Sequence, residues 1–390
     1  MLKKILFLAC FAYCLVGQAQ QQLAIDFIDN DYQSALAEAS DQNKIIFVDA
    51  YAEWCGPCKM MDRNVFSDTA VGKFFNSHFI NLKLDMEKGE GPKLSELYRV
   101  RAYPTLLFLD AKGALLHRGL GYHNSEKLLQ LAEDALDPEK QLSALKTSYQ
   151  EGNREPDFLR RFALSLFEAT DTSAYTVGKA YLETQSNWAA PVNIPLIAQM
   201  AREYNDPYYN FMVEKRYLFI RHLGEGTVHG RLVNMIEDHL YSSLETLDLT
   251  EAKSIYTSTF PSSKAGAYYE IFEINYYDHK GRLDKYRDLA RAFVKKYPTL
   301  SWSTLNELAW GFYEKIDEPK ALKWAVKWAA KSISLNSNPY NNDTLAALYY
   351  KLGNQKKASK FAQAAIELAQ AAGIDHSETS RLLEKIERMN

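Results

Sequence analysis

Cys55 and Cys58 are the residues of this chain best suited to chemistry, and they lie one helical turn apart within "VDAYAEWCGPCKMM" (Val48–Met61). A thiolate attacks a disulfide sulfur, and a second thiol on the same helix face can then attack the mixed disulfide and release reduced product. If a helix begins at Cys55, its free N–H groups and macrodipole favour the anion and lower the first thiol's pKa. Cys55 is therefore expected as an exposed thiolate, with Cys58 waiting beneath it. Gly56 allows tight approach, and Pro57 suits a first turn, where its missing N–H costs little. A zinc site would need two more ligands, and neither a second CxxC nor a suitable histidine pair is present. A staple closing so small a loop would stabilise little. The spacing favours redox exchange over both, with no metal and no other cofactor.

The flanking pattern supplies elements to position the pair. Ile45–Ala52 is a continuous apolar run fit for a buried strand, and "PCKMMDRNVFSD" reads as a helix after it. Helical spacing also marks Asp31–Lys44, "TAVGKFFNSH", Gly91–Val100 and Ser125–Leu136. "FINLKLD" (Phe79–Asp85) alternates like a strand, and "TLLFLD" and "ALLHRGL" flank a turn at Ala111-Lys112-Gly113 as a hairpin. A βαβ unit followed by two antiparallel strands and a helix makes an α/β sandwich on a mixed sheet.

The segment "VDAYAEWCGPCK" resembles the active-site segment of the thioredoxin superfamily, and the likeness extends over roughly residues 25–137. "DAYAEWC", "NVFSD" and "PTLLFLD" are similar to secreted thioredoxin-like reductases and to the reducing domains of membrane thiol transporters. The resemblance implies a thioredoxin fold with Cys55 as nucleophile and Cys58 as resolving thiol, paired as a redox disulfide when oxidised. It implies that Asp49 is the buried carboxylate that moves the Cys58 proton, with Lys83 near it. It further implies a cis-proline turn at Tyr103-Pro104-Thr105, a substrate groove that takes in Gly121, Gly56 and Pro57, and Trp54 covering one side of the thiols. On residue type alone Asp49 also reads as a strand-end cap, Lys83 as a solvated strand residue and Pro104 as trans. Tyr103 departs from the aliphatic residue common at its position. The loop "DMEKGEG" (Asp85–Gly91) is longer than in the shortest thioredoxins and reads as a charged surface loop.

Beyond Asp137-Pro138 strand signals largely disappear, and helical segments alternate with short polar or Pro/Gly breaks. Leu305–Ala329 aligns with Asn342–Ile366 at an offset of 37, which places Ala309 on Ala346, Phe312 on Tyr349, Ala321 on Ala358 and Ala325 on Ala362. This small-large-small pattern resembles the tetratricopeptide repeat. The expected organisation is a signal peptide over 1–19, a thioredoxin-like domain over 20–138, a helical domain with degenerate repeats over 139–300, and tetratricopeptide-like repeats over 301–390. His222, His229 and His239 read as core or surface histidines rather than ligands, and Asn342-Asp343-Thr344 has the form of a glycosylation sequon.

The chain has 390 residues, 47% of them hydrophobic and 24% charged, with a net charge of −3. That balance is globular and lacks a basic field, which argues against nucleic acid as a partner. Lys3 and Lys4, the apolar run Ile5–Val16 and the small residues Gly17 and Ala19 form a secretory pattern that would remove Cys10 and Cys14. Export across the inner membrane to a bacterial periplasm follows, with no stable membrane insertion after cleavage. The expected activity is protein-disulfide reduction, because Gly-Pro between the cysteines resembles the strongly reducing members. The expected partners are disulfide-containing clients and a membrane thiol-electron donor, with the helical region docking clients. A disulfide isomerase or oxidase, or a helical-repeat binding protein using the thioredoxin-like part as scaffold, are the alternatives.

Overall fold

The computed structural model describes residues 24–372 and 374–389, so the expected signal peptide lies outside the described residues. These residues divide into two compact units. One runs to Arg154 and takes in Glu168–Asp171, and the other holds Glu155–Phe167 and the chain from Thr172 onward. Among the described residues no helix is long and apolar enough to cross a membrane.

The first unit is a thioredoxin fold built on five strands, β1 (Ile28–Asp29), β2 (Ile45–Tyr51), β3 (Phe79–Asp85), β4 (Thr105–Leu109) and β5 (Leu115–Leu120). Their order is β1-β3-β2-β4-β5. The first two pairings are parallel and the last two antiparallel. The central strand β2 is covered on both sides, which explains its unbroken apolar run. Successive side chains point to opposite faces. Ile46, Val48 and Ala50 join Tyr32, Ala35 and Ala39 of α1 (Tyr32–Gln42) in one core layer. Phe47 faces the other way, among Met61, Val65, Phe75 and Leu131. Those residues come from α2 (Gly56–Asn64) and its C-cap, α3 (Thr69–His78) and α5 (Ser125–Leu136), while α4 (Gly91–Leu97) lies with α1. The two-residue β1 carries no periodic signal and went unread in the sequence.

Past residue 138 the same unit continues into α6 (Leu142–Gln150), where the Leu142 N–H donates to Nδ1 of buried His117 on β5 at 3.1 Å.

The second unit is all helical among its described residues. Its last part holds two helical hairpins, Trp302–Lys315 with Pro319–Leu335 and Pro339–Lys351 with Gln355–Ala372, closed by Ser377–Glu387. Ala309, Ala321 and Ala325 of the first hairpin are fully buried, and so are Ala346, Ala358 and Ala362 of the second. The small residues spaced by 37 thus mark close helix–helix contact, as a tetratricopeptide-like repeat requires.

Candidate functional site

Cys55 ends the loop after β2 and is the N-cap of α2, with φ −69° and ψ 107°. Its sulfur accepts from the Cys58 N–H at 3.1 Å, so one of the helix's free donors already points at it. Pro57 occupies the first turn, where no N–H is needed. Cys55 and Cys58 are disulfide-bonded. Both are only 2% exposed, which corrects the expectation of an exposed Cys55. The oxidised pair packs with Ala52, Tyr51 and Tyr103, and that packing covers the sulfurs. Gly56 leaves open space: a Cβ there would meet nothing within 4 Å. No intramolecular contact requires glycine at that position, so the room beside Cys55 lies open to a visitor.

Asp49 projects from β2 on the same face as Phe47, toward α2. It is fully buried, and neither carboxyl oxygen has a hydrogen-bond partner among the described residues. Burial penalises its ionised form and pushes its pKa up to about 7, with the Lys83 charge pulling the other way and the Asp62 charge adding a little. The parallel register of β2 and β3 sets Lys83 directly opposite Asp49, and Lys83 Nζ lies 3.9 Å from Asp49 Oδ2. The ammonium is held more closely by Asp62 and lies 5.1 Å from the centre of the Tyr51 ring. Asp62 was missed in the sequence, although it follows Cys58 by four residues and so shares its helix face.

The Tyr103-Pro104 bond is cis, and β4 begins immediately after it. Thr105 Oγ1 donates to the Ala102 carbonyl at 2.7 Å, and the Gly121 N–H donates to the Pro104 carbonyl at 2.8 Å. Gly121 has φ +81°, a conformation that a side chain disfavours. Trp54 is 69% exposed and meets the Tyr103 ring edge-on at 5.8 Å. Its Nε1–H donates to both carboxylate oxygens of Glu87, at 3.0 and 2.9 Å. Lys88 pairs with Glu53 and lies 3.8 Å from Asp85. The loop read as a charged surface feature is therefore tied at two points to the residues preceding Cys55. Charge alternation gave no hint of this, because the contact depends on where the loop returns.

The arrangement brings Cys55, Cys58, Trp54, Gly56, Pro57 and Tyr103 together at one end of the sheet, with Pro104 and Gly121 at the adjoining ends of β4 and β5 and Asp49 and Lys83 in the strands beneath. It holds a disulfide that can open and close, and a buried carboxyl group on the strand that leads to it. His222, His229 and His239 belong to the other unit; His229 is buried, with Nδ1 3.0 Å from the Tyr268 hydroxyl.

A family model described as thioredoxin-like matches residues 27–111. Thioredoxin-1 of Drosophila melanogaster is 42% identical over 80 residues, which is 20% of this chain and 68% of that protein. The thiol:disulfide interchange protein DsbD of Pseudoalteromonas atlantica is 32% identical over 85 residues, covering 22% of this chain and only 14% of that protein. The solution structure of a putative disulphide-isomerase from Bacteroides thetaiotaomicron is 42% identical and covers 30% of this chain and 97% of its own, with a TM-score of 0.28.

Proposed function

This chain belongs to the thioredoxin family, and on that footing we propose that it reduces protein disulfides through Cys55 and Cys58. The observation that carries the reading is a disulfide whose Cys55 caps α2, together with the fully buried Asp49 carboxyl group on β2, which has no hydrogen-bond partner among the described residues. In the reduced protein the Cys55 thiolate attacks one sulfur of a client disulfide. A mixed disulfide forms, and the other client sulfur leaves as a thiolate that takes a proton from water. Asp49 accepts the Cys58 proton, directly or through a water. The Cys58 sulfur then attacks Cys55 Sγ, the second client thiolate leaves, and the Cys55–Cys58 disulfide remains. Two electrons have passed from the dithiol to the client, and a dithiol donor must return them. Asp49 suits its part because a carboxyl group with a pKa near 7 exchanges protons readily at neutral pH. Trp54, Gly56, Pro57, Tyr103, Pro104 and Gly121 form the surface that receives the client, and Lys83 tunes Asp49.

The leader-like N-terminus supports work outside the cytoplasm, and an oxidising compartment then makes a membrane thiol donor necessary. The helical unit docks clients and raises their concentration near Cys55. Equilibration of the pair with glutathione tests the direction. A potential near that of reducing thioredoxins, about −270 mV, supports reduction. One above about −150 mV, toward the oxidant end of the scale, assigns the protein to disulfide formation instead. Truncation after Asp171 tests docking: reduction of a small disulfide should persist while reduction of native clients falls. Equal loss on both would remove the docking role.

A further inference from the structure

The second helix of each hairpin, Pro319–Leu335 and Gln355–Ala372, concentrates positive charge. The first of these holds four lysines and no acid, and the other three lysines and one glutamate. Their hairpin partners, Trp302–Lys315 and Pro339–Lys351, hold two lysines against three acids between them. Pro319–Leu335 buries Ala321, Ala325 and Trp328, and Lys320, Lys323 and Lys327 are exposed on its other side. The offset of 37 that superposes the alanines also places Lys320 on Lys357 and Lys323 on Lys360. Both helices therefore present lysine at equivalent outward positions of the repeat, and exposed Lys356 adds to the second set. Phe361 packs against the core that holds Ala321 and Ala325, which makes the two helices neighbours.

The placement of these charges works against the helices that carry them. Lys323 and Lys327 are four residues apart, as are Lys356 and Lys360, and like charges at that spacing repel on one helix face. Lys320, Lys356 and Lys357 lie in first turns, where the macrodipole disfavours a cation, and neither first turn holds an acid. Among the described residues no carboxylate lies within ion-pair distance of any of these six lysines. A charge pattern that weakens its own helices and gains no partner inside the chain marks a surface kept for something outside it.

Lysine offers a hydrated point charge on a flexible stem, without the planar fork by which arginine grips a single phosphate or carboxylate. An array of such charges suits a layer of anionic headgroups, where each lysine near the layer adds to the attraction. Leu335, 54% exposed at the end of the first lysine helix, adds an apolar side chain of the kind that enters the headgroup zone. The leader-like N-terminus and the need for a membrane thiol donor, both proposed above, favour a bilayer over a soluble acidic polypeptide.

We propose that the lysine faces of Pro319–Leu335 and Gln355–Ala372 form a docking surface for an anionic lipid bilayer. The choice of a bilayer rests on the export reading, whereas the surface itself is independent of the thiol exchange.

The test sediments the full chain with sucrose-loaded vesicles of phosphatidylcholine, alone or with about 30% phosphatidylglycerol, at an ionic strength of about 0.1 M. Binding should be stronger on the anionic vesicles and should weaken as salt is added. The N-terminal apolar run is present in every variant, so its own contribution cancels. Lys320→Gln/Lys323→Gln/Lys327→Gln should weaken binding to anionic vesicles about a hundredfold and leave binding to neutral vesicles unchanged. Lys356→Gln/Lys357→Gln/Lys360→Gln should act alike. Lys73→Gln/Lys93→Gln/Lys127→Gln makes the same charge change at exposed residues of the thioredoxin unit and should leave binding nearly unchanged. Glutamine is a good helix former and relieves the repulsion, so neither helical variant should melt lower than the wild type. Equal weakening by the thioredoxin-unit variant would leave only net charge and overturn the proposal. A lower melting temperature in both helical variants would assign the lysines to the fold and overturn it too. So would tighter binding to soluble polyglutamate than to anionic vesicles at matched anion concentration, which would assign the face to acidic polypeptides. Reduction of a small disulfide, followed in parallel, should be the same in all these variants, so bilayer docking and the Cys55–Cys58 reading can fail separately.

Discussion

Asn341 of the helical unit and Asp49 of the thioredoxin unit are both fully buried, but their surroundings treat them differently. In the helical unit Asn341 has no exposed surface, and its amide nitrogen donates to Ser332 Oγ at 3.0 Å and to the Asn336 carbonyl at 2.7 Å. Its Oδ1 accepts from the Asn338 N–H at 3.0 Å, closing a capping box at the start of Pro339–Lys351. Ser332 Oγ donates to the Trp302 carbonyl, and Asn342 and Thr344 are likewise bonded to backbone. Asp49, equally buried, has no such partner. Satisfied burial holds a fold together, whereas unsatisfied burial leaves a group whose proton is easily moved.

The largest expected effect is at Asp49. Asp49→Asn should slow release of the mixed disulfide near pH 7 by about a hundredfold, the usual range for losing a general base. Its stability profile should change as well. The folded-state pKa of about 7 lies above the ordinary aspartate value of 3.8, so the native state binds the extra proton. The stabilisation is complete below the unfolded-state pKa and is lost as pH rises through 7. Relative to Asp49→Asn, the wild type should lose up to about 4 kcal/mol between pH 3 and pH 8, measured by denaturant unfolding. A parallel pair of profiles would show that folding leaves the Asp49 pKa unchanged.

Asn341→Ala inverts the pattern. It removes the acceptor of the Asn338 N–H and one donor each from the Asn336 carbonyl and Ser332 Oγ, and should cost about 1–3 kcal/mol of stability with no change in thiol exchange. A change in exchange rate without a fall in melting temperature would contradict the contrast. Asp62→Asn is a smaller perturbation. It frees Lys83 to approach Asp49 and removes a nearby negative charge, so the pH profile of the resolving step should move down by roughly one unit. An upward move would mean that Asp62 acts on Asp49 only by orienting Lys83. Glu87→Gln should do least: loosening Trp54 should speed alkylation of the reduced pair roughly threefold, with a shift in tryptophan emission. Unaltered emission would mean that Glu87 does not hold the ring in solution.

The chemistry was legible because it is local: WCGPC after an apolar run places both sulfurs without knowledge of the rest of the fold. Asp49 and Lys83 needed the resemblance, since their pairing comes from the β2–β3 register, 34 residues apart in sequence. Asp62 was readable by helix spacing and went unused. Glu87 was not readable, because a loop's return has no periodicity. In the helical unit the alanines at the offset of 37 revealed the hairpins, since close contact demands small residues. The stretch from 140 to 300 resisted phasing because its helices range from Ile194–Met200 to Glu225–Ser242 and pack through aromatic rings rather than alanine seams. The sequon form at Asn342 misleads: its side chain is buried and its nitrogen donates to Ser337 Oγ and the Asn338 carbonyl, leaving no free amide for a sugar.

The central claim is that the start of α2 makes Cys55 an unusually acidic thiol. Its most direct test is the pH dependence of Cys55 alkylation in the reduced Cys58→Ser protein. The account predicts an apparent pKa clearly below the free-cysteine value of about 8.5. A midpoint at or above that value would contradict it.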